Sequence, residues 1–124
     1  MPYAPAIKVT GGTTVCLAGC TATPVYHSHP HVPEEFDNIP PDMEGQARMV
    51  LENIKKGLDA VGATFADIVT ANRYCTDLSD QDSLNRVWAE YFGDNKPTTT
   101  TVQVVQLATD PRCLIEIDAV AIID

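Results

Sequence analysis

Apolar positions in the middle of the chain recur at the spacing of a helix. Met43, Ala47, Val50, Leu51, Ile54, Leu58 and Val61 follow one another at steps of four, three, one, three, four and three, which places them on one stripe. Glu44, Arg48, Glu52, Lys55 and Asp59 fall mostly on the other side, and Gly62 stands where a left-handed residue would stop the helix. A second helix is predicted from Leu84, Val87, Trp88, Tyr91 and Phe92, capped by Ser79 or Asp80 and ended by Gly93. Between the helices, Ile68 to Thr76 reads as a strand. Two more follow, the β-branched run Thr98 to Leu107 and, after an Asp110-Pro111 turn, Cys113 to Ile123. At the front, Ile7 to Val9 and Thr13 to Leu17 flank Gly11-Gly12 and predict a hairpin. Thr21 to Pro41 holds Pro24, Pro30, Pro33, Pro40 and Pro41 together with all three histidines, and predicts a long loop with extended pieces.

The resulting order, β-β-α-β-α-β-β, belongs to the α+β class: one mixed sheet with both helices on one face. Alternation in the last strand separates the two faces. Cys113, Ile115, Ile117, Ala119 and Ala121 point one way, under the helices, and Leu114, Glu116, Asp118, Val120 and Ile122 the other. Thr99, Thr101, Gln103, Val105 and Leu107 share one face of the preceding strand and are expected beside Glu116. A solvated sheet face would not carry Val105, Leu107, Val120 and Ile122, and a sealed core would not carry Glu116 and Asp118 unpaired. That face is therefore expected to pack on other copies of the chain and to enclose a polar cavity.

At 124 residues the chain is expected to be a single domain, 1–124. Its 8 Lys and Arg against 17 Asp and Glu give a net charge of −9. Nucleic-acid binding requires cations that displace counterions, so this balance argues against DNA, RNA and anionic lipid as partners and leaves small molecules and protein chains. No apolar run is long enough to span a membrane and the first residues lack the pattern of a signal peptide, so a cytoplasmic location is expected. Cys16, Cys20, Cys75 and Cys113 lack the spacing of a zinc or thioredoxin site and are expected as thiols, mostly in the core.

The string GQARMVLENIKKGLDAVGATFADIVTANRYCTDLSDQDSLNRVWAEYF and the closing LIEIDAVAI resemble the Rid (YjgF-type, reactive intermediate deaminase) superfamily, as does the Pro2-Tyr3 start. The resemblance implies a chorismate-mutase-like fold of the bacillus type and a homotrimer with sites between subunits. It also implies hydrolysis of enamines or imines to keto acids and ammonia, with no cofactor. Glu116 matches the family's water-positioning glutamate, and Tyr3 and Asn85 match residues that line its site. The arginine that grips the substrate carboxylate in archetypal members falls at Thr99, and Cys20 stands where the family has Gln. These departures imply a specialised catabolic or biosynthetic step rather than general 2-imino acid deamination. A non-catalytic ligand-binding trimer is the alternative.

Among the candidates, Glu116 is expected to act as a general acid/base whose pKa burial raises. Tyr3 and Thr101 are placed with it as catalytic, and Thr99, Asn85, Cys20, Tyr26, His27 and Arg73 as substrate-binding. Arg73 shares a face with Ala71 and Cys75, so it either pairs with an acidic neighbour or supplies the missing cation. His27, His29 and His31 alternate and project to one side of an extended segment. Three imidazoles can hold zinc, copper or nickel for a metal-dependent hydrolase or lyase, can line a pocket, or can sit on a solvent loop. No metal is assigned to them from the sequence. Tyr26 and Phe36 could wall an aromatic pocket beside them, and Cys20 could act as a nucleophile only with His27 or His29 as its base.

Overall fold

A computed structural model describes residues 2–124. The elements are β1 (Thr13–Cys20), α1 (Met43–Ala60), β2 (Ile68–Cys75), α2 (Gln81–Phe92), β3 (Thr98–Gln103) and β4 (Ile115–Ile123), with short 3-10 turns at Pro33–Phe36, Phe65–Asp67 and Leu78–Asp80. The sheet order is β1-β4-β2-β3. β4 runs antiparallel to both β1 and β2, whereas β2 and β3 are parallel. The α+β class with both helices against one mixed sheet holds.

α1 starts where Asp42 accepts a hydrogen bond from the Gly45 amide at 3.1 Å. Past its last residue, Ala60, the φ of 74° at Gly62 lets the Ala63 amide turn back to the Leu58 carbonyl. Met43, Ala47, Val50, Leu51, Ile54 and Leu58 are buried, but Val61, on the predicted stripe, lies beyond the last turn and is exposed. Neither Ser79 nor Asp80 caps α2 through its side chain: Asp77 accepts from the Ser79 amide and shapes the 3-10 turn that feeds the helix. Leu84, Val87, Trp88 and Phe92 pack inward from α2 against Ala71, Cys75, Ile115, Ile117, Ala119 and Ala121, the helix-covered face read from alternation.

Three strand expectations are corrected. Ile7 to Val9 forms no strand, so the sheet has four strands and not five. Ile7 and Val9 are both exposed, so a single copy of the chain offers them no apolar layer to pack on. The strand from Thr98 ends at Gln103: the Val104 amide bonds to the Cys75 carbonyl, Val105 is fully exposed and Leu107 is buried. Most importantly, Thr99 and Thr101 do not share a face with Glu116. Thr101 pairs with Arg73, and Arg73 with Ile117, so both threonines lie on the helix side.

Within β4 the residues of the other face fall where alternation put them. Glu116 and Asp118 pair across β2 with Tyr74 and Asn72, and Val120 pairs with Cys16 of β1. Cys16 is accordingly exposed and not in the core, whereas Cys75 and Cys113 are buried. Among the described residues no helix is long and apolar enough to cross a membrane.

Candidate functional site

The residues singled out from the sequence fall into three groups. The first surrounds a cavity of about 440 Å3 between α2, β3 and the N-terminal segment, and brings together Tyr3, Arg73, Asn85, Thr99 and Thr101. The N-terminal segment is tied to the mouth of β3 by the Ala4 amide, which donates to the Pro97 carbonyl at 3.1 Å. Asn85 comes from the first half of α2, one turn before Trp88, so both side chains reach the same cavity.

Arg73 is the centre of this group. It is 6% exposed. Its Nε donates to Thr101 Oγ1 and its Nη1 to Asn85 Oδ1, each at 2.9 Å. The guanidinium carbon lies 5.0 Å over the Trp88 ring. Among the described residues no carboxylate pairs with it, so the acidic partner weighed from the sequence is not there. Burial pulls its pKa below the ordinary arginine value, yet a guanidinium stays charged in proteins. An unneutralised cation at the wall of a cavity is a site for an anion. Thr99 does not face it as a replacement donor: its hydroxyl donates to the Pro97 carbonyl at 3.2 Å.

The second group lies on the opposite face of the sheet. Glu116 is half-buried, and its pKa is raised, first by burial and then by the neighbouring Asp118. Asp118 accepts hydrogen bonds from the Asn72 side-chain amide at 3.0 Å and from the Tyr74 hydroxyl at 2.9 Å. Sequence reasoning did not single out Asn72 and Tyr74. The period of two could have found them, because they alternate with Arg73 and so belong on the other side of β2. A β-bulge in β1 between Leu17 and Cys20 carries Gly19 against Glu116. A Cβ there would lie 2.5 Å from Glu116 Oε2. The clash falls on the end of a flexible side chain, so Gly19→Ala is expected to change stability by less than about 1 kcal/mol while displacing the carboxylate. Urea unfolding and the Glu116 carboxyl chemical shift check this; an unmoved shift would mean that Gly19 does not position Glu116.

Cys20, beyond the bulge, pairs with Ile117 and turns to the helix side. Burial and the charge of Glu116 both push its thiol pKa up, which disfavours the thiolate a nucleophile needs. It lines a smaller cavity of about 210 Å3 with Thr21, Thr23 and His27.

The third group is the histidine loop. His27, His29 and His31 form a compact cluster with ring centroids 4.8 to 5.2 Å apart. Phe36, 1% exposed, stands edge-on to two of them. Tyr26 does not wall this cluster: it is 93% exposed. Thus one chain assembles Tyr3, Asn85, Thr99, Thr101 and Arg73, but places Glu116 across the sheet and Tyr26 and His27 on a separate loop.

Comparison with known proteins follows the same outline. The family model described as endoribonuclease L-PSP matches residues 1–123. A RutC family protein of Pyrococcus horikoshii is 38% identical over 120 residues, covering 97% of this chain and 86% of its own. TdcF of Escherichia coli K12, whose name assigns it provisionally to the reactive intermediate deaminases, is 37% identical over 87 residues, covering 68% of this chain and 66% of its own. Among solved structures, RidA from an Antarctic Psychrobacter superimposes with a TM-score of 0.74 at 29% identity, covering 99% of this chain and 96% of that one. Rv2704 of Mycobacterium tuberculosis, a YjgF/YER057c/UK114 family member, gives 0.72 at 32% identity over 92% and 82% of the two chains. With a family model spanning nearly its whole length and these relatives beside it, the chain belongs to the endoribonuclease L-PSP family, the YjgF/RutC/Rid group that includes reactive intermediate deaminases.

Proposed function

We propose that the protein hydrolyses a small imine or enamine bearing an anionic group, releasing a carbonyl compound and ammonia, in clefts between copies of a homotrimer. The observation that carries this reading is Arg73: a buried guanidinium without a carboxylate partner, opening on a cavity large enough for a small metabolite. It grips the anion, while Asn85 and Thr101 fix its plane and Tyr3 closes the cavity mouth.

A hydrolase also needs a group to position water, and Glu116 is the family's candidate. Within one chain it lies on the other face of the sheet from Arg73, so both reach one substrate only across a subunit boundary. The open face supports such packing, because Val102 is exposed and Leu114, Val120 and Ile122 are only half-covered in a single copy. The reaction balances simply. An enamine first takes a proton at its β-carbon and becomes the imine; water then adds to the C=N carbon, its protons pass through Glu116 to the nitrogen, the C–N bond breaks and ammonia leaves. No redox partner is required. A ribonuclease role, which the family description carries, suits a chain of net charge −9 poorly.

The test follows ammonia release from imines generated in situ by an amino acid oxidase. Wild-type protein is expected to accelerate hydrolysis over buffer, and Glu116→Gln to lower kcat by about 10²- to 10⁴-fold. As Glu116 acts in its ionised form and its pKa is raised, activity should fall as pH drops through a value above the ordinary carboxylate range, and that limb should vanish in Glu116→Gln. Thermal stabilisation by an imine analogue without turnover would overturn hydrolysis in favour of a binding protein.

A further inference from the structure

We propose that His27, His29 and His31 form a binding site for a divalent transition metal ion, one per chain, separate from the Arg73 cavity. One ring nitrogen from each of the three lies within 4.8 Å of the other two. Ligands of a tetrahedral zinc ion stand about 3.3 Å apart, so shifts of about 1 Å in these rings close the site. His29 and His31 are exposed and His27 is half-exposed, which leaves the rings free to make that movement and leaves a fourth position open to solvent.

The cluster is built rather than incidental. His27 Nδ1 lies 2.8 Å from the Pro24 carbonyl. A carbonyl only accepts, so Nδ1 carries the proton and Nε2 presents its lone pair. This is the arrangement by which an outer partner fixes the tautomer of a ligating histidine. Phe36, fully buried, supports the rings of His27 and His31 from beneath at 5.2 and 5.8 Å. Glu35 accepts from the amide of Ser28, the residue between His27 and His29, at 3.2 Å. The loop is also fastened to the body: the Arg112 guanidinium reaches Asp37 at 3.0 Å, the Pro33 carbonyl at 2.8 Å and Asp110 at 2.9 Å. Three imidazoles brought together on a pinned loop, with one tautomer already set, lower the ordering cost of binding.

Neutral nitrogen ligands choose the ion. Imidazole suits zinc, copper and nickel, whereas magnesium and calcium require oxygen ligands. The site lies near the catalytic candidate without overlapping it: His27 and Gly19 line the same 210 Å3 cavity, and Gly19 abuts Glu116.

The experiment uses untagged full-length protein stripped with a chelator and dialysed. Zinc is titrated by calorimetry and against a chromophoric chelator. One equivalent per chain is expected, with no competition from excess magnesium. His29→Ala and His31→Ala are each expected to weaken zinc binding at least 10-fold to 100-fold. These side chains lie outside the core, and circular dichroism confirms that the variants fold. A stoichiometry far below one per chain, or variants that bind as wild type, would overturn the proposal. The readout is binding alone, so it stands or falls independently of imine turnover.

Discussion

Arg73→Met is expected to cut kcat/KM for carboxylate-bearing imines by roughly 10²-fold while leaving the melting temperature unchanged or raised. The first half follows from the loss of a charge-assisted pair, worth about 2–3 kcal/mol in a desolvated site. The second follows from what Arg73 lacks. A buried guanidinium held by one hydroxyl, one amide oxygen and one indole face is not neutralised, and its desolvation opposes folding. Methionine keeps the unbranched stem against Trp88 and removes the charge. Asn85 and Thr101 lose their donor, but they line an open cavity where water can replace it.

An uncharged imine makes the decisive control. If Arg73 serves only the anion, Arg73→Met leaves turnover of the uncharged compound nearly intact, and the loss on the anionic one sits in KM more than in kcat. A melting temperature lowered by several degrees, with both substrates affected alike, would make Arg73 a packing residue and remove the main support for an anionic substrate.

The same residue shows how far sequence reading reached. Period-two alternation sorted each strand into two faces, and within β4 the sorting held: Ile115, Ile117, Ala119 and Ala121 are buried and Glu116 is not. Alternation does not say which face of one strand matches which face of the next. Register does, and the parallel pairing of β2 with β3 is set by the whole crossover through α2. The run Thr98 to Leu107 also reads as one continuous strand, whereas the ladder ends at Gln103. Thr99 and Thr101 were thus expected beside Glu116 but stand beside Arg73. The histidines were legible as a cluster because their alternation is local. That their rings meet over Phe36 was not, since it depends on Arg112, 75 residues along the chain from Asp37.

The largest stability effect is expected at Gln46, a polar residue inside the apolar stripe of α1. It is 1% exposed. Its Nε2 donates to the Pro40 carbonyl at 2.9 Å and to the Arg112 carbonyl at 2.8 Å, and its Oε1 accepts from the Leu114 amide at 2.7 Å. One side chain thereby satisfies three backbone groups that no strand or helix pairs. It joins the end of the histidine loop to the residue that leads into β4 and Glu116. Gln46→Leu keeps the volume but strands all three groups. At about 1–3 kcal/mol for each buried orphan, partly relieved by water, the loss is about 3–5 kcal/mol. That is a large fraction of a small domain's stability, and urea unfolding measures it. Gln46→Glu separates hydrogen bonding from packing. The carboxylate still accepts from Leu114 but turns a negative oxygen on two carbonyls, so its folded pKa must be raised. A raised folded pKa means that the native state binds the proton more tightly. This variant should therefore be most stable below the ordinary glutamate pKa and should lose stability as pH rises through the folded value. Gln46→Leu should show no such slope beyond that of the wild type. Equal, pH-independent losses in the two variants would place the role of Gln46 in packing, and a loss below 1 kcal/mol in Gln46→Leu would mean that water takes over its bonds.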